Sequence, residues 1–154
     1  MITCKFEDDG DAALRHVTVD VIVVRDNRIL LVRRALHLIE GGKWALPGGY
    51  LDRDETVVEG GLREVREETG WSCKNPTFVG VTSNPYRKGD DRQNVGFVLS
   101  ADADAEIAAI DDEVLEVAWI VVEELSAQEL AFDHTEMVRM WLAGRDGQET
   151  VALT

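Results

Sequence analysis

Three glutamates, Glu64, Glu67 and Glu68, stand at i, i+3 and i+4 in a chain of 154 residues. On a helix they share an arc of about 100°, which gathers three hard oxygen donors on one rigid face. Donors of that kind suit magnesium or manganese. The same spacing is a poor recipe for a helix selected for stability alone. Like charges at i, i+4 cost roughly a few tenths of a kcal/mol per pair, and the acids fall in the last two turns before Gly70, where the helix dipole disfavours anions. Gly60-Gly61 adds a propensity cost of about 2 kcal/mol relative to two alanines. A cation between the carboxylates would cancel the repulsion and the dipole term. The alternative is an acidic solvated face, with Arg63 and Arg66 taking up part of the charge.

The flanking residues favour the first reading. From Gly49 the chain runs GYLDRDETVVEGGLREVREETGW. This resembles the signature of the Nudix hydrolases: Gly, five residues, Glu, seven residues, Arg-Glu-aliphatic, one residue, Glu-Glu, one residue, Gly, aliphatic. Gly49, Glu55, Arg63, Glu64, Val65, Glu67, Glu68 and Gly70 match. Trp71 departs from the usual aliphatic last position, and Gly60-Gly61 stands where small residues, often alanines, are usual. WALPGG before the signature, and Trp119 followed by Glu123-Glu124-Leu125 after it, are similar to other parts of the family. The resemblance implies an α/β fold, an α/β/α sandwich with a mixed sheet between helices. It also implies metal-dependent cleavage of a nucleoside diphosphate linked to another group.

Carried over by position, Glu64, Glu67 and Glu68 would hold Mg2+ or Mn2+ with the carbonyl of Gly48, and Glu64 or Glu67 could instead be the base. Gly49, Glu55 and Arg63 would support them, Arg63 by pairing with Glu67 at i, i+4. Family members often bring another acid from outside the signature; Glu113 and Glu116 are the candidates, with Asp112 behind them, against the reading of a solvated acidic turn.

These groups need elements to position them. HVTVDVIVV, from His16 to Val24, is β-branched almost throughout and predicts a strand buried on both faces. Arg25-Asp26-Asn27 supplies a turn, and Ile29 to Val32 the returning strand. Ala35 to Lys43 reads as a loop and Pro47-Gly48-Gly49 as a break. A helix is expected from Thr56 to Thr69 with Gly70 as a left-handed cap. Strands are expected at Pro76 to Val81, Val95 to Leu99 and Val114 to Val122. A last helix is expected from about Asp133, with Asp133 and Glu136 spaced for a capping box. No linker or repeat divides residues 1–154, so one domain is expected, with residues 1–12 as a flexible arm.

The formal net charge is −14, from sixteen Lys and Arg against thirty Asp and Glu. A field of that sign excludes nucleic acid polymers and acidic membranes as partners and makes the few cations informative. Arg87, Lys88 and Arg92 in the loop SNPYRKGDDRQN, and Arg33, Arg34 and Lys43, are candidates for binding the phosphate or terminal ribose of a small nucleotide. Exposed cations are also ordinary in loops. Tyr86 or Trp44 could stack on a base, and His134 could face the site. Pro85 to Arg92 is similar to a loop of ADP-ribose pyrophosphatases, a likeness too short to decide the substrate; ADP-ribose or a similar nucleotide sugar is placed ahead of others. The alternatives are a nucleoside triphosphate pyrophosphohydrolase, which would release pyrophosphate, and a non-catalytic nucleotide sensor, which would be expected to lose signature carboxylates kept here. An isopentenyl diphosphate isomerase would need a site cysteine, a role that neither Cys4 nor Cys73 is placed to fill. The two cysteines lack zinc or disulfide spacing. With no apolar run of about 18 residues and no basic, apolar leader, a cytoplasmic protein is expected. Many Nudix proteins form homodimers, and nothing in the sequence marks such an interface.

Overall fold

A computed structural model describes residues 2–87, 89–107 and 113–145. Its centre is strand β3 (Val17–Arg25), following a short hairpin of β1 (Ile2–Lys5) and β2 (Asp11–Leu14). The first residues are paired with one another, Ile2 with Leu14 through Lys5 with Asp11, in a sheet of their own. The Asp-rich tip forms a turn, with Asp9 at positive φ and Gly10 N–H donating to Asp8 Oδ1.

Strand β3 is buried from Thr18 to Val23 because it has neighbours on both edges and layers on both faces. Its antiparallel partner β4 (Arg28–Arg34) returns through Asp26 and Asn27, both at positive φ, as a two-residue turn requires for the strand twist. The break expected at Pro47-Gly48-Gly49 instead contains a strand: β5 (Trp44–Ala45) pairs with β4, and β6 (Gly48–Tyr50) pairs with β3, Asp20 opposite Gly48. On its other edge β3 runs parallel to β8 (Val95–Glu106), which pairs antiparallel with β7 (Trp71–Thr82). Strand β9 (Val114–Val121) pairs with β4 and leads into a 3₁₀ turn at Val122–Ala127, completing a mixed sheet of seven strands among the described residues.

The β7–β8 hairpin is longer than expected. Ala and Asp alternate beyond Leu99, a composition of low strand propensity. The pairing is held by what each face meets: Ala101 and Ala103 join the core, while Asp104 pairs with Lys74 at 2.8 Å and Asp102 accepts from Asn75 at 2.9 Å.

Helix α1 (Val57–Thr69) covers one face, where Val65 packs on Val19, Val21, Leu30 and Leu99. Thr56 caps it in a reciprocal box with Glu59, and Gly70 ends it at φ 74°. Gly61 lets the helix lie close to the sheet: a β-carbon there would meet Val21 Cγ2 at 3.0 Å and Val19 Cγ2 at 3.1 Å. Helix α2 (His134–Arg145) covers the other face with Met137, Val138 and Trp141 against Ile22, Ile29 and Leu31. Its capping box is not formed. Asp133 Oδ1 accepts no hydrogen bond and lies 3.6 Å from Arg87 Nε, while Glu136 pairs with Arg139. Burial of Arg87 beside Asp133 explains the difference. No helix among the described residues is long and apolar enough to cross a membrane.

Candidate active site

The alternation of β3 places Val19 and Val21 under α1 and leaves Thr18 and Asp20 on the opposite side, at the end of the strand where α2 begins. There they wall a cavity of about 340 Å3. Helix α1 contributes Glu64 and Glu68, and β6 contributes Gly48 and Gly49. Gly48 is required by contact with backbone, and a side chain at Gly49 would displace Glu64. A β-carbon on Gly49 would lie 2.5 Å from Glu64 Oε1, and one on Gly48 would lie 2.3 Å from the carbonyl oxygen of Val19. Gly48 N–H donates to Glu68 Oε2 at 3.0 Å.

Arg63 organises the outer side of this corner. Its guanidinium forks onto Glu55 (2.8 and 3.1 Å), and also donates to Glu64 Oε1 (2.8 Å), Glu67 Oε2 (3.1 Å) and the Tyr50 carbonyl (3.1 Å). Hydrogen bonds from Arg63, with the Asp52 N–H, hold the Glu55 carboxyl down to about 2. Glu67 points outward, 45% exposed, and does not line the cavity. Among the described residues, no three His, Cys, Asp or Glu side chains stand ready as a cage for a cation. The three signature acids are turned to different donors, two to Arg63 and Glu68 to Gly48.

Burial disfavours charge on the carboxyls at the cavity. Burial, reinforced by Glu64 and Asp20, raises Glu68 to about 8 despite the Gly48 N–H. Burial likewise raises Asp20 to about 7, with Asp133 and Glu64 adding to it and Arg87 opposing. Glu64 is raised by burial against the pull of Arg63. Opposite the acids stand cations. Arg34 and Arg87 lie 5.0 and 4.4 Å from the ring centroid of Phe132, itself at positive φ. Arg87 is buried, not an exposed loop cation, and lies 3.7 Å from Asp90. Asp90 in turn holds Arg92 through both oxygens, and Arg92 donates to the Tyr50 hydroxyl.

Of the residues singled out from sequence, Gly48, Gly49, Glu64, Glu68, Glu113, Arg34, Arg87, Arg92 and His134 come together at the cavity. Arg33 and Glu116 pair with each other across β4 and β9 at 3.5 Å and do not line it. Lys43 is bound to Glu40 and Glu129. Trp44 packs against the α2 core, and Tyr86 is exposed. Lys88 and Asp112 lie outside the described residues. Asp20, Thr18 and Asn94 were missed. Thr18 and Asp20 were legible as the two polar interruptions of an otherwise apolar strand buried on both faces; Asn94 had no such signal.

The cavity brings Glu64, Glu68 and Asp20 together with Arg34, Arg87 and Arg92. The chain belongs to the Nudix family: the model of the NUDIX domain matches residues 14–141, and in class it is a Nudix pyrophosphohydrolase. It is 35% identical over 132 residues to a Methanocaldococcus jannaschii protein named ADP-ribose pyrophosphatase, covering 85% of this chain and 75% of that one. The crystal structure of a NUDIX hydrolase from Nitrosomonas europaea matches 99% of this chain and 91% of its own, with TM-score 0.77 and 25% identity. The NUDIX domain of Shewanella oneidensis NrtR, in cocrystals with ADP ribose, matches 90% of this chain and 91% of its own, with TM-score 0.74 and 26% identity.

Proposed function

We propose that this protein hydrolyses the pyrophosphate of a nucleoside diphosphate linked to another group, with ADP-ribose as the favoured substrate and Mg2+ or Mn2+ as cofactor. The observation that carries the reading is the meeting of Glu64, Glu68 and Asp20 at one cavity with Arg34, Arg87 and Arg92. A divalent cation is the group that suits the oxygen donors of these acids. ADP-ribose is favoured because the archaeal relative carries that activity in its name and the NrtR domain was crystallised with that molecule.

Glu64, Glu67 and Glu68, with the Gly48 carbonyl, would hold the ion, Glu67 turning inward from Arg63. A divalent cation bound there neutralises charge on the phosphoryl oxygens and lowers the pKa of the attacking water. The water oxygen bonds to one phosphorus, the bridging P–O bond breaks, and one proton is released. ADP-ribose then gives AMP and ribose 5-phosphate. Glu113, at the cavity, and Glu64 or Glu67 are the candidates to take the proton; Glu116 stands with Arg33 outside. Arg34, Arg87 and Arg92 face the anionic substrate across the cavity, and Arg63 with Glu55 orients the acids.

The test is product identity. Purified protein with Mg2+ or Mn2+ is given ADP-ribose, other nucleotide sugars, dinucleotides and nucleoside triphosphates, and products are separated by ion-exchange chromatography. AMP with ribose 5-phosphate supports the reading. Pyrophosphate from triphosphates alone would move the protein to nucleotide-pool cleaning, and tight binding without turnover would make it a sensor.

A further inference from the structure

Two buried titratable side chains at the cavity wall belong to no part of the signature: Asp20 on β3 and His134 at the start of α2. Leu46 N–H donates to His134 Nδ1 at 2.9 Å. An acceptor at Nδ1 places the ring proton on Nε2, and Nε2 lies 3.4 Å from Asp20 Oδ1. Two residues after Leu46 comes Gly48, which stands opposite Asp20 in the sheet and donates its N–H to Glu68 Oε2 at 3.0 Å. Between them the Pro47 carbonyl accepts from Val21 N–H at 2.9 Å. The imidazole thus ties α2 to both walls of the corner on which Glu68 hangs. Stability does not call for it, since replacing buried ionic or polar partners by well-packed apolar ones is often neutral or stabilising.

We propose that His134 is a positioning residue: by accepting the Leu46 N–H and facing Asp20, it fixes the Leu46–Gly48 turn and so sets the Gly48 amide that orients Glu68. This rests on the reading of Glu68 as a cation ligand, and its test separates the two. The variants are His134→Asn, whose side-chain oxygen can stand in for Nδ1; His134→Gln, whose amide reaches only the Nε2 place; and His134→Phe, which offers neither. Circular dichroism establishes that each is folded. Amide hydrogen exchange, measured without metal, reads the turn directly. Protection of Leu46 and Gly48 is expected to persist in His134→Asn and to fall in His134→Gln and His134→Phe. Titration with Mn2+ alone, followed by the paramagnetic resonance of the free ion, is expected to show binding weakened about tenfold or more in His134→Gln and His134→Phe and largely retained in His134→Asn. With ADP-ribose, kcat should fall more than KM. If His134→Phe fails to fold, the Asn and Gln variants, both polar, carry the same comparison. Equal exchange at Leu46 and Gly48 in the Asn and Gln variants would overturn the proposal. A wild type that binds no Mn2+ would remove the metal reading and leave the exchange result to decide the role of His134.

Discussion

Replacing Glu68 by glutamine should make the cation-free protein more stable while abolishing its turnover. The sign follows from the environment of the carboxyl. Burial and the neighbouring acids raise it from 4.5 to about 8, so the folded state holds a proton that the unfolded state releases. Below about pH 4.5 the group is neutral in both states and contributes nothing. As pH rises from there the unfolded state is favoured, and the full penalty is reached only above about pH 8. The ceiling on that penalty is about 5 kcal/mol, of which about 3 is present at pH 7. Glu68 keeps some exposure at the open cavity, so water screens it; about 1–2 kcal/mol at pH 7 is the working value. For a domain of this length that corresponds to a rise of roughly 3–6 °C in Tm. Glutamine keeps the shape and an oxygen for the Gly48 N–H. Thermal unfolding of both proteins in chelator, across about pH 4.5 to 8.5, should give curves that coincide at the acid end and diverge as pH rises. Added Mg2+ should then stabilise the wild type more than the variant. A Glu68→Gln protein less stable than wild type at alkaline pH would refute the argument that this carboxyl is held against its charge.

The remaining predictions concern its neighbours. Arg63→Lys keeps the charge but loses the fork that reaches Glu55, Glu64 and Glu67, so turnover should fall at least about tenfold; steady-state kinetics with unchanged kcat would free Arg63 of any orienting task. Arg87→Ala should lower stability by about 3 kcal/mol, because it takes a cation neighbour from the buried Asp90 and from the part-buried Asp133. Calorimetry showing an unchanged Tm would place Arg87 among the dispensable loop cations. Gly61→Ala gains about 1 kcal/mol of helix propensity but pushes a methyl against Val19, Val21 and Leu99, an overpacking cost of about 1–3 kcal/mol. Denaturant unfolding should therefore show a net loss, and a gain would mean that α1 can lift from the sheet.

Gly61 also marks where sequence reasoning was blind. Gly60-Gly61 reads as a weakness in a helix because propensity is a property of one element, whereas the reason for Gly61 lies in side chains of β3 and β8 that approach from another layer. The same limit applies to Arg87. Its neighbours in sequence are loop residues, so solvation was the natural expectation, but its partners Phe132 and Asp133 come from the approach to α2. The signature acids were legible because their spacing is local, and the helix caps at Thr56 and Gly70 for the same reason. Their orientation was not, because the donors that turn them apart, Arg63 for two and the Gly48 amide for the third, meet them only in the folded chain. Asp20 lies between these cases. A carboxylate inside a strand of valines buried on both faces has no water to solvate it, so the sequence alone requires that something charged or hydrogen-bonding meet it. The fold supplies His134, Arg87 and the cavity on that side, and so joins the polar residues of β3 to the acids of α1 in one site.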